Sequence, residues 1–222
     1  MTAKLGAREE ILDRVATGLG ADPGKADFAT RRSAALASLS RKKRGPQPVL
    51  GGGQVERFKL KAENLASTVV RVADTADVPA AVAAYLVQGA LGNEAVVTPE
   101  LAGLAWAEST LSVRAGGAVD ADQVGISGCF CAVAETGTLM LLSGVNTPAT
   151  VSLLPETHIA VVSTSRIVAT MEDAFALLRA ECGTVPRAIN FISGPSRTGD
   201  IEQTIVLGAH GPCRVHIVLV ES

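Results

Sequence analysis

The sequence is poor in aromatic residues, in cysteine and in long apolar runs. Aromatic side chains make up 3% of the 222 residues, and there are four cysteines. So few cysteines in a chain of this length exclude a disulfide-stapled secreted scaffold and favour a reducing cytoplasm. No apolar run approaches the roughly 18 residues of a membrane span. Met1–Glu10 carries charges rather than an apolar signal core, so we expect a cytoplasmic protein without a transmembrane segment.

Apolar residues are nevertheless plentiful, and charge is unevenly distributed. Hydrophobic residues account for 47% of the chain, enough for a core of Val, Ile, Leu and Ala, which excludes disorder of the whole chain. The length suits one domain with a small extension. Residues 1–61 have a net charge of +7, whereas residues 62–222 have a net charge of −9. The chain therefore has a basic leader and an acidic body.

The leader is predicted to contain one helix and a linker. Apolar residues recur at helical spacing across Ala7–Leu19, which predicts an amphipathic helix. Residues 20–53 contain several prolines, the basic cluster Arg41–Arg44 and the glycine run Gly51–Gly53, which predicts a flexible linker without a helix of its own. Because aromatic residues do not interleave with the basic cluster, we expect no nucleic-acid partner. The first predicted domain spans residues 1–54.

The body alternates short apolar runs with capped helical segments. Nearly all-apolar strands separated by helices are typical of a parallel sheet covered on both faces. We therefore predict an α/β domain over residues 55–222. Strands are expected at residues 68–72, 94–97, 159–162, 188–192 and 215–220, and helices are expected to begin near Asp77, Thr98 and Thr170.

One stretch departs from this alternation. Gly128–Leu142 has two apolar runs on either side of Glu-Thr-Gly, which predicts a hairpin with Glu135 in its turn. Glycine permits close backbone approach to a ligand, and Ser and Thr hydroxyls add donors, so three loops are candidate binding sites. They are the Glu135 turn, the segment Ser193–Glu202 and the segment Gly208–Pro212.

These loops supply the candidate site residues. Glu135, Asp200 and His210 are candidate catalytic residues, because carboxylates and a glycine-flanked imidazole suit acid–base work. Candidate ligand-binding residues are Thr136, Gly137, Thr138, Ser193, Gly194, Ser196, Arg197, Thr198, Glu202, Gly208 and Gly211.

Each candidate also has a structural interpretation. A carboxylate placed like Glu135 is more often a turn or cap acceptor than a catalytic base. Asp200 and Glu202 are equally compatible with caps of a short helix begun after Gly199. His158 and His216 lie beside or within predicted strands and are interpreted as structural. Cys129-Phe130-Cys131 lacks the Cys-x-x-Cys spacing of zinc and iron–sulfur sites, and both thiols are expected on one side of a strand, so we predict no metal site.

Five motifs in one order carry a resemblance to a known family. Together they resemble the LUD domain of the LutC/YkgG family, the lactate utilization protein C group, over about residues 55–222. The motifs are Val124–Ser127, Ala134–Leu139, Leu154–Val162, Ser193–Glu202 and Gly208–Pro212.

The resemblance implies a fold, a process and partners. The fold would be a Rossmann-like, three-layer α/β/α sandwich similar to the NagB/RpiA/CoA-transferase group. The process would be oxidation of L-lactate to pyruvate together with iron–sulfur partner subunits. This chain would carry no cofactor itself, and it would bind a small anionic molecule such as lactate, pyruvate or a phosphate-bearing compound. Whether the chain is itself an enzyme, and its oligomeric state, stay open.

Two alternatives remain at this point. One is a stand-alone enzyme of the CoA-transferase or sugar-phosphate isomerase type, with Glu135 as nucleophile or base and His210 as its partner. The other is a non-catalytic assembly subunit whose basic leader engages an acidic partner. The sequence departs from the family pattern at Cys129 and Cys131, which leaves a redox role open, and at Gly199.

Overall fold

The computed structural model describes residues 6–18, 28–41, 45–46, 51–201 and 204–221. The chain divides into two compact units, Met1–Pro48 and Val49–Ser222. No helix in the described part of the chain is long and apolar enough to cross a membrane.

The first unit contains two helices, α1 (Ala7–Gly18) and α2 (Phe28–Ser40). The helix predicted over Ala7–Leu19 is confirmed, and its apolar Ile11, Leu12 and Val15 are each more than half exposed. The prediction of a linker without a helix is wrong over residues 28–40. That segment lacks proline and glycine and is rich in alanine and leucine, which are strong helix formers. Lys42, Lys43 and Arg44 of the predicted basic cluster lie outside the described residues.

The described residues of the second unit form four α-helices and twelve strands. The helices are α3 (Gln54–Asn64), α4 (Val78–Gln88), α5 (Thr150–Leu153) and α6 (Met171–Glu181). The strands are β1 (Thr68–Val72), β2 (Glu94–Val97), β3 (Ser112–Ala115), β4 (Val124–Gly128), β5 (Cys131–Val133), β6 (Thr138–Leu142), β7 (Thr157–Ser163), β8 (Ile167–Val168), β9 (Ile189–Ile192), β10 (Arg197–Ile201), β11 (Thr204–Leu207) and β12 (Arg214–Val220).

The central sheet has six parallel strands in the order β1-β12-β7-β4-β2-β3. Alternate side chains of its strands enter different clusters. Ile159 faces the core that α4 covers, whereas Ala160 faces a second core formed with α3 and β6. The predicted α/β class is therefore confirmed, with a mostly parallel sheet at its centre.

One flank of that sheet includes a second sheet. Its four strands run in the order β8-β5-β6-β9, and β5 and β6 form the predicted antiparallel hairpin. One face packs toward the central sheet through Leu139 and Leu141, and the other packs on α6 through Cys131 and Met140. Along this flank the order of layers is central sheet, second sheet and helix.

The strands predicted at residues 68–72 and 94–97 are confirmed to the residue. The helix predicted to begin near Thr170 is also confirmed, and the Thr170 hydroxyl and the Asp173 side chain form a capping box at its start. Two other local predictions are wrong. Thr98 begins only a single 3-10 turn, Pro99–Leu101, rather than a longer helix. Residues 193–202 are not a continuous loop, and no helix follows Gly199, because β10 pairs with β11 in a hairpin rich in β-branched residues. Glu202 lies outside the described residues.

Candidate functional site

A crevice opens where the direction of chain connections reverses in the central sheet. The chain leaves β2 toward β3 on one side and leaves β4 toward β7 on the other, although β2 and β4 are neighbours. In open α/β sheets such a reversal leaves a gap beyond the carboxyl ends of the two strands, where ligands bind. Here the gap has a volume of about 230 Å³. Its walls comprise Thr98, Glu100, Ser127, Gly128, Cys129, Phe130, Leu141, Leu142, Thr147, Pro148, Ala149, Ser152 and Asn190.

Glu100 is anchored across the crevice by the backbone of β4. Its Oε1 atom accepts hydrogen bonds from the Gly128 amide, at 2.9 Å, and from the Thr98 hydroxyl, at 3.3 Å. A Cβ at position 128 would overlap the Glu100 carboxylate, so any other residue there would displace this side chain from its present position. Partial burial raises the pKa of Glu100 above its usual value, and the two hydrogen bonds counteract that rise.

Ser127 contributes a hydroxyl held by a buried histidine. The Ser127 Oγ atom lies 2.8 Å from Nε2 of His158, and the two side chains are 3% and 0% exposed. Both side chains project from the same face of neighbouring strands β4 and β7. Burial lowers the pKa of His158 to about 4, so its imidazole is neutral at neutral pH. Within the described structure its Nδ1 atom has no hydrogen-bond partner.

The remaining walls are apolar or uncharged. Among the described residues that line the crevice, the only charged side chain is that of Glu100. Phe130, Leu141 and Pro148 supply apolar surface, and Asn190 supplies an amide. Such a lining suits a small organic molecule held by a few hydrogen bonds.

The predicted loops converge elsewhere, at the amino-terminal edge of the sheet. The hydroxyls of Thr136, Thr138 and Ser193 form a chain with 2.7 Å between successive oxygens. The Ser196 backbone exchanges hydrogen bonds with Pro212 and Gly208, and the His210 amide lies 3.3 Å from the Ser196 hydroxyl oxygen. The structure therefore brings the three predicted loops into one network, which we call the loop network.

Two glycines of the loop network make close contact with the end of α3. Gly137 has φ +70°, and a Cβ there would lie 2.5 Å from the Ala62 nitrogen. Gly194 has φ +80°, and a Cβ there would overlap the Leu65 carbonyl oxygen. The same oxygen accepts a hydrogen bond from the Arg197 side chain. Backbone packing thus accounts for glycine at both positions.

The three candidate catalytic residues occupy different places in this part of the molecule. Glu135 is half-buried in the β5–β6 turn, where its amide donates to the Ala169 carbonyl. Asp200 lies within β10. His210 is exposed and lines a shallow groove beside Gly208 and Gly211, before the start of β12. None of the predicted site residues that the structure describes lines the crevice. The sequence signal that could have located the crevice is the rule that ligands bind beyond the carboxyl ends of strands, applied to Thr98–Glu100.

The paired cysteines do not face one side. Cys131 is fully buried in the cluster under α6, whereas Cys129 packs toward the central sheet and donates to the Cys131 carbonyl. The expectation that both thiols share a side is wrong because Cys129 precedes the first residue of β5. Burial raises the pKa of both thiols, that of Cys131 to about 11. Nowhere in the described ranges do three or more His, Cys, Asp or Glu side chains gather to hold a metal ion.

Comparison with known proteins identifies the carboxy-terminal half of the chain. The family model for the LUD domain matches residues 118–220, which include Ser127, His158 and the loop network but not Glu100. This segment is similar to LUD domains, so the predicted resemblance to a LUD domain is confirmed.

Curated relatives and a solved structure agree with that assignment. Lactate utilization protein C of Bacillus subtilis is 43% identical over 102 residues, or 45% of this chain and 42% of the relative. Its counterpart in Geobacillus sp. is 41% identical over 100 residues, 44% of this chain and 42% of the relative. This chain therefore spans less than half the length of these relatives.

The structural neighbour covers more of the fold. A crystal structure of a DUF162 family protein from Deinococcus radiodurans superposes with a TM-score of 0.55 at 25% identity. The superposition covers 78% of this chain and 99% of the other. The Rossmann-like sandwich of this chain thus agrees with the fold of a solved structure.

Proposed function

We propose that this chain is a cytoplasmic component of an L-lactate utilization system and that its crevice binds a small ligand. The identity of about 40% with lactate utilization protein C over about 100 residues is the observation that carries the proposal. The crevice at the reversal point supports the binding part, because it combines apolar walls with hydroxyl, amide and carboxylate groups.

In this proposal, iron–sulfur subunits carry electrons from L-lactate, and this chain provides binding and assembly. The cysteine chemistry of the described residues agrees with that division. Cluster ligation requires thiolates, yet burial raises the pKa of Cys129 and Cys131, and the two side chains enter different apolar clusters. These two residues therefore do not fit a cluster site.

Growth of a deletion strain tests the physiological role. We expect loss of growth on L-lactate as sole carbon source, unchanged growth on glucose, and recovery with the wild-type gene supplied on a plasmid. A chain with Glu100→Ala should fail to restore growth while accumulating normally, because it removes the only charged group among the described wall residues. Normal growth of the deletion strain on L-lactate would refute the role.

A further inference from the structure

We infer that Ser127 and Glu100 form a donor–acceptor pair in the crevice that recognises a small uncharged molecule bearing a hydroxyl next to a carbonyl oxygen. The proposed function supplies only the lactate skeleton used for the probes below. The pair itself follows from the geometry around Gly128, whose amide anchors Glu100 and which directly follows Ser127.

Glu100 is the acceptor of the pair. Two hydrogen bonds anchor its carboxylate, and Oε1 accepts both, one from the Gly128 amide and one from the Thr98 hydroxyl. The anchoring holds the carboxylate at the crevice wall and leaves Oε2 to accept from a ligand hydroxyl.

Ser127 is the donor because of the histidine behind it. A neutral imidazole carries one proton, either on Nε2, facing Ser127, or on Nδ1, which has no partner among the described residues. Buried N–H groups without a partner are rarer than buried acceptors without one. The favoured tautomer therefore places the proton on Nε2, so that His158 donates to the Ser127 oxygen. The Ser127 hydroxyl is then free to donate its own proton into the crevice.

The charge of the walls selects against an anion. Glu100 is the only charged side chain among the described wall residues, so a ligand carboxylate would lie near a like charge without a compensating cation. A neutral amide keeps the carbonyl acceptor and the neighbouring hydroxyl but avoids this repulsion. L-lactamide is consequently the matched neutral probe for L-lactate, and propionamide is the same molecule without the hydroxyl.

Isothermal titration calorimetry of the full chain at pH 7.5 tests the pair. We expect L-lactamide to bind more tightly than L-lactate, and propionamide to bind roughly tenfold more weakly than L-lactamide, as loss of one hydrogen bond to a charged acceptor predicts. Ser127→Ala should weaken L-lactamide binding about tenfold. Glu100→Gln should weaken L-lactamide binding. It should also reduce the ratio of the L-lactamide affinity to the L-lactate affinity, because the glutamine no longer repels the lactate carboxylate.

Three results would overturn the inference. These are absence of L-lactamide binding at millimolar concentration, equal binding of L-lactamide and propionamide, and unchanged L-lactamide affinity in both variants. A growth defect on L-lactate without L-lactamide binding would refute the pair and leave the physiological role intact. Binding without a growth defect would refute the role and leave the pair intact.

The positioning role of His158 is tested first on the wild-type protein, where no variant has to fold, and then on two variants. Nitrogen-15 NMR of the wild-type imidazole should show the proton on Nε2, and a proton on Nδ1 would overturn the assignment of Ser127 as donor. His158→Gln keeps an N–H donor near Nε2 and should retain L-lactamide affinity within about threefold, whereas His158→Leu should weaken it about tenfold. Equal affinity of the two variants would contradict the positioning role.

Discussion

The crevice and the loop network both combine hydroxyl groups with glycine, yet their glycines meet different neighbours. In the crevice, Gly128 makes room for the carboxylate of Glu100. In the loop network, Gly137 and Gly194 make room for the backbone at the end of α3. The two regions also lie at opposite edges of the central sheet, the crevice after β2 and β4 and the loop network before β1 and β12.

This difference shows what a glycine-rich motif indicates. The conformational freedom of glycine serves close approach of any kind, whether to a ligand or to another part of the chain. Which of these applies depends on the atoms that face the missing Cβ.

Acid should lower the free energy of unfolding of the second unit, because two of its histidines are buried. Burial lowers the pKa of His158 and of His216 to about 4, from an ordinary value of 6.5. Between these values the unfolded chain binds more protons, so stability falls as the pH falls. We expect a loss of about 2–3 kcal/mol for each histidine between pH 7.5 and 4.5. Burial raises the pKa of Glu100, which offsets a little of this loss.

Urea unfolding across that pH range measures the effect. His158→Gln should reduce the loss of unfolding free energy between pH 7.5 and 4.5 by the amount expected for one histidine. His210→Gln, at an exposed position of the loop network, is the matched control. An equal reduction by both variants would show that burial of His158 does not govern acid stability.

Gly137→Ala should destabilise the domain by roughly 2–4 kcal/mol, because it adds left-handed backbone strain and an overlap with α3. Gly199→Ala is the control, since a Cβ there meets no atom within 4 Å. Thermal unfolding compares the two variants. Equal stability of both would mean that Gly137 does not serve packing, and the interpretation of Gly137 as a ligand contact would gain support.

The chain of hydroxyl groups in the loop network should contribute less to stability than the Gly137 contact. Thr138→Val removes the central hydroxyl of a 2% exposed side chain and leaves two neighbours without a partner. We expect a loss of about 1 kcal/mol in urea unfolding. Thr136→Val, at the exposed end of the chain, should change stability by less than about 0.5 kcal/mol. A larger effect at Thr136 than at Thr138 would reverse this assignment.

The smallest effects are expected from the predicted catalytic residues. Glu135→Gln and His210→Asn should alter stability by less than about 0.5 kcal/mol and leave growth on L-lactate unchanged. Loss of growth with either variant would support the catalytic prediction. Trapping of a Glu135 acyl hydroxamate after incubation with an acyl-CoA and hydroxylamine would assign it the role of nucleophile.

Local features of the fold could be predicted because their causes lie close together in the sequence. The β-branched run Thr68–Val72, the Thr170 capping box and the hairpin around Glu135 each depend on neighbouring residues. The hairpin of β10 and β11 was missed because its glycine and polar residues are equally typical of loops.

The crevice could not be located in the same way. It exists because β4 lies beside β2 although β3 separates them in the sequence, and that order brings Gly128 against Glu100. The His158–Ser127 contact depends likewise on pairing of β7 with β4. Hydrophobic patterns specify which residues face a core but not which strands are neighbours.

Amide chemical-shift mapping with L-lactamide compares the two regions in a single titration of nitrogen-15-labelled protein. We expect saturable shifts at the amides of Glu100, Ser127 and Gly128 and unchanged positions for the amides of Ser193–Thr198 and Gly208–Gly211. Saturable shifts confined to the loop network, with the crevice amides unmoved, would contradict this expectation.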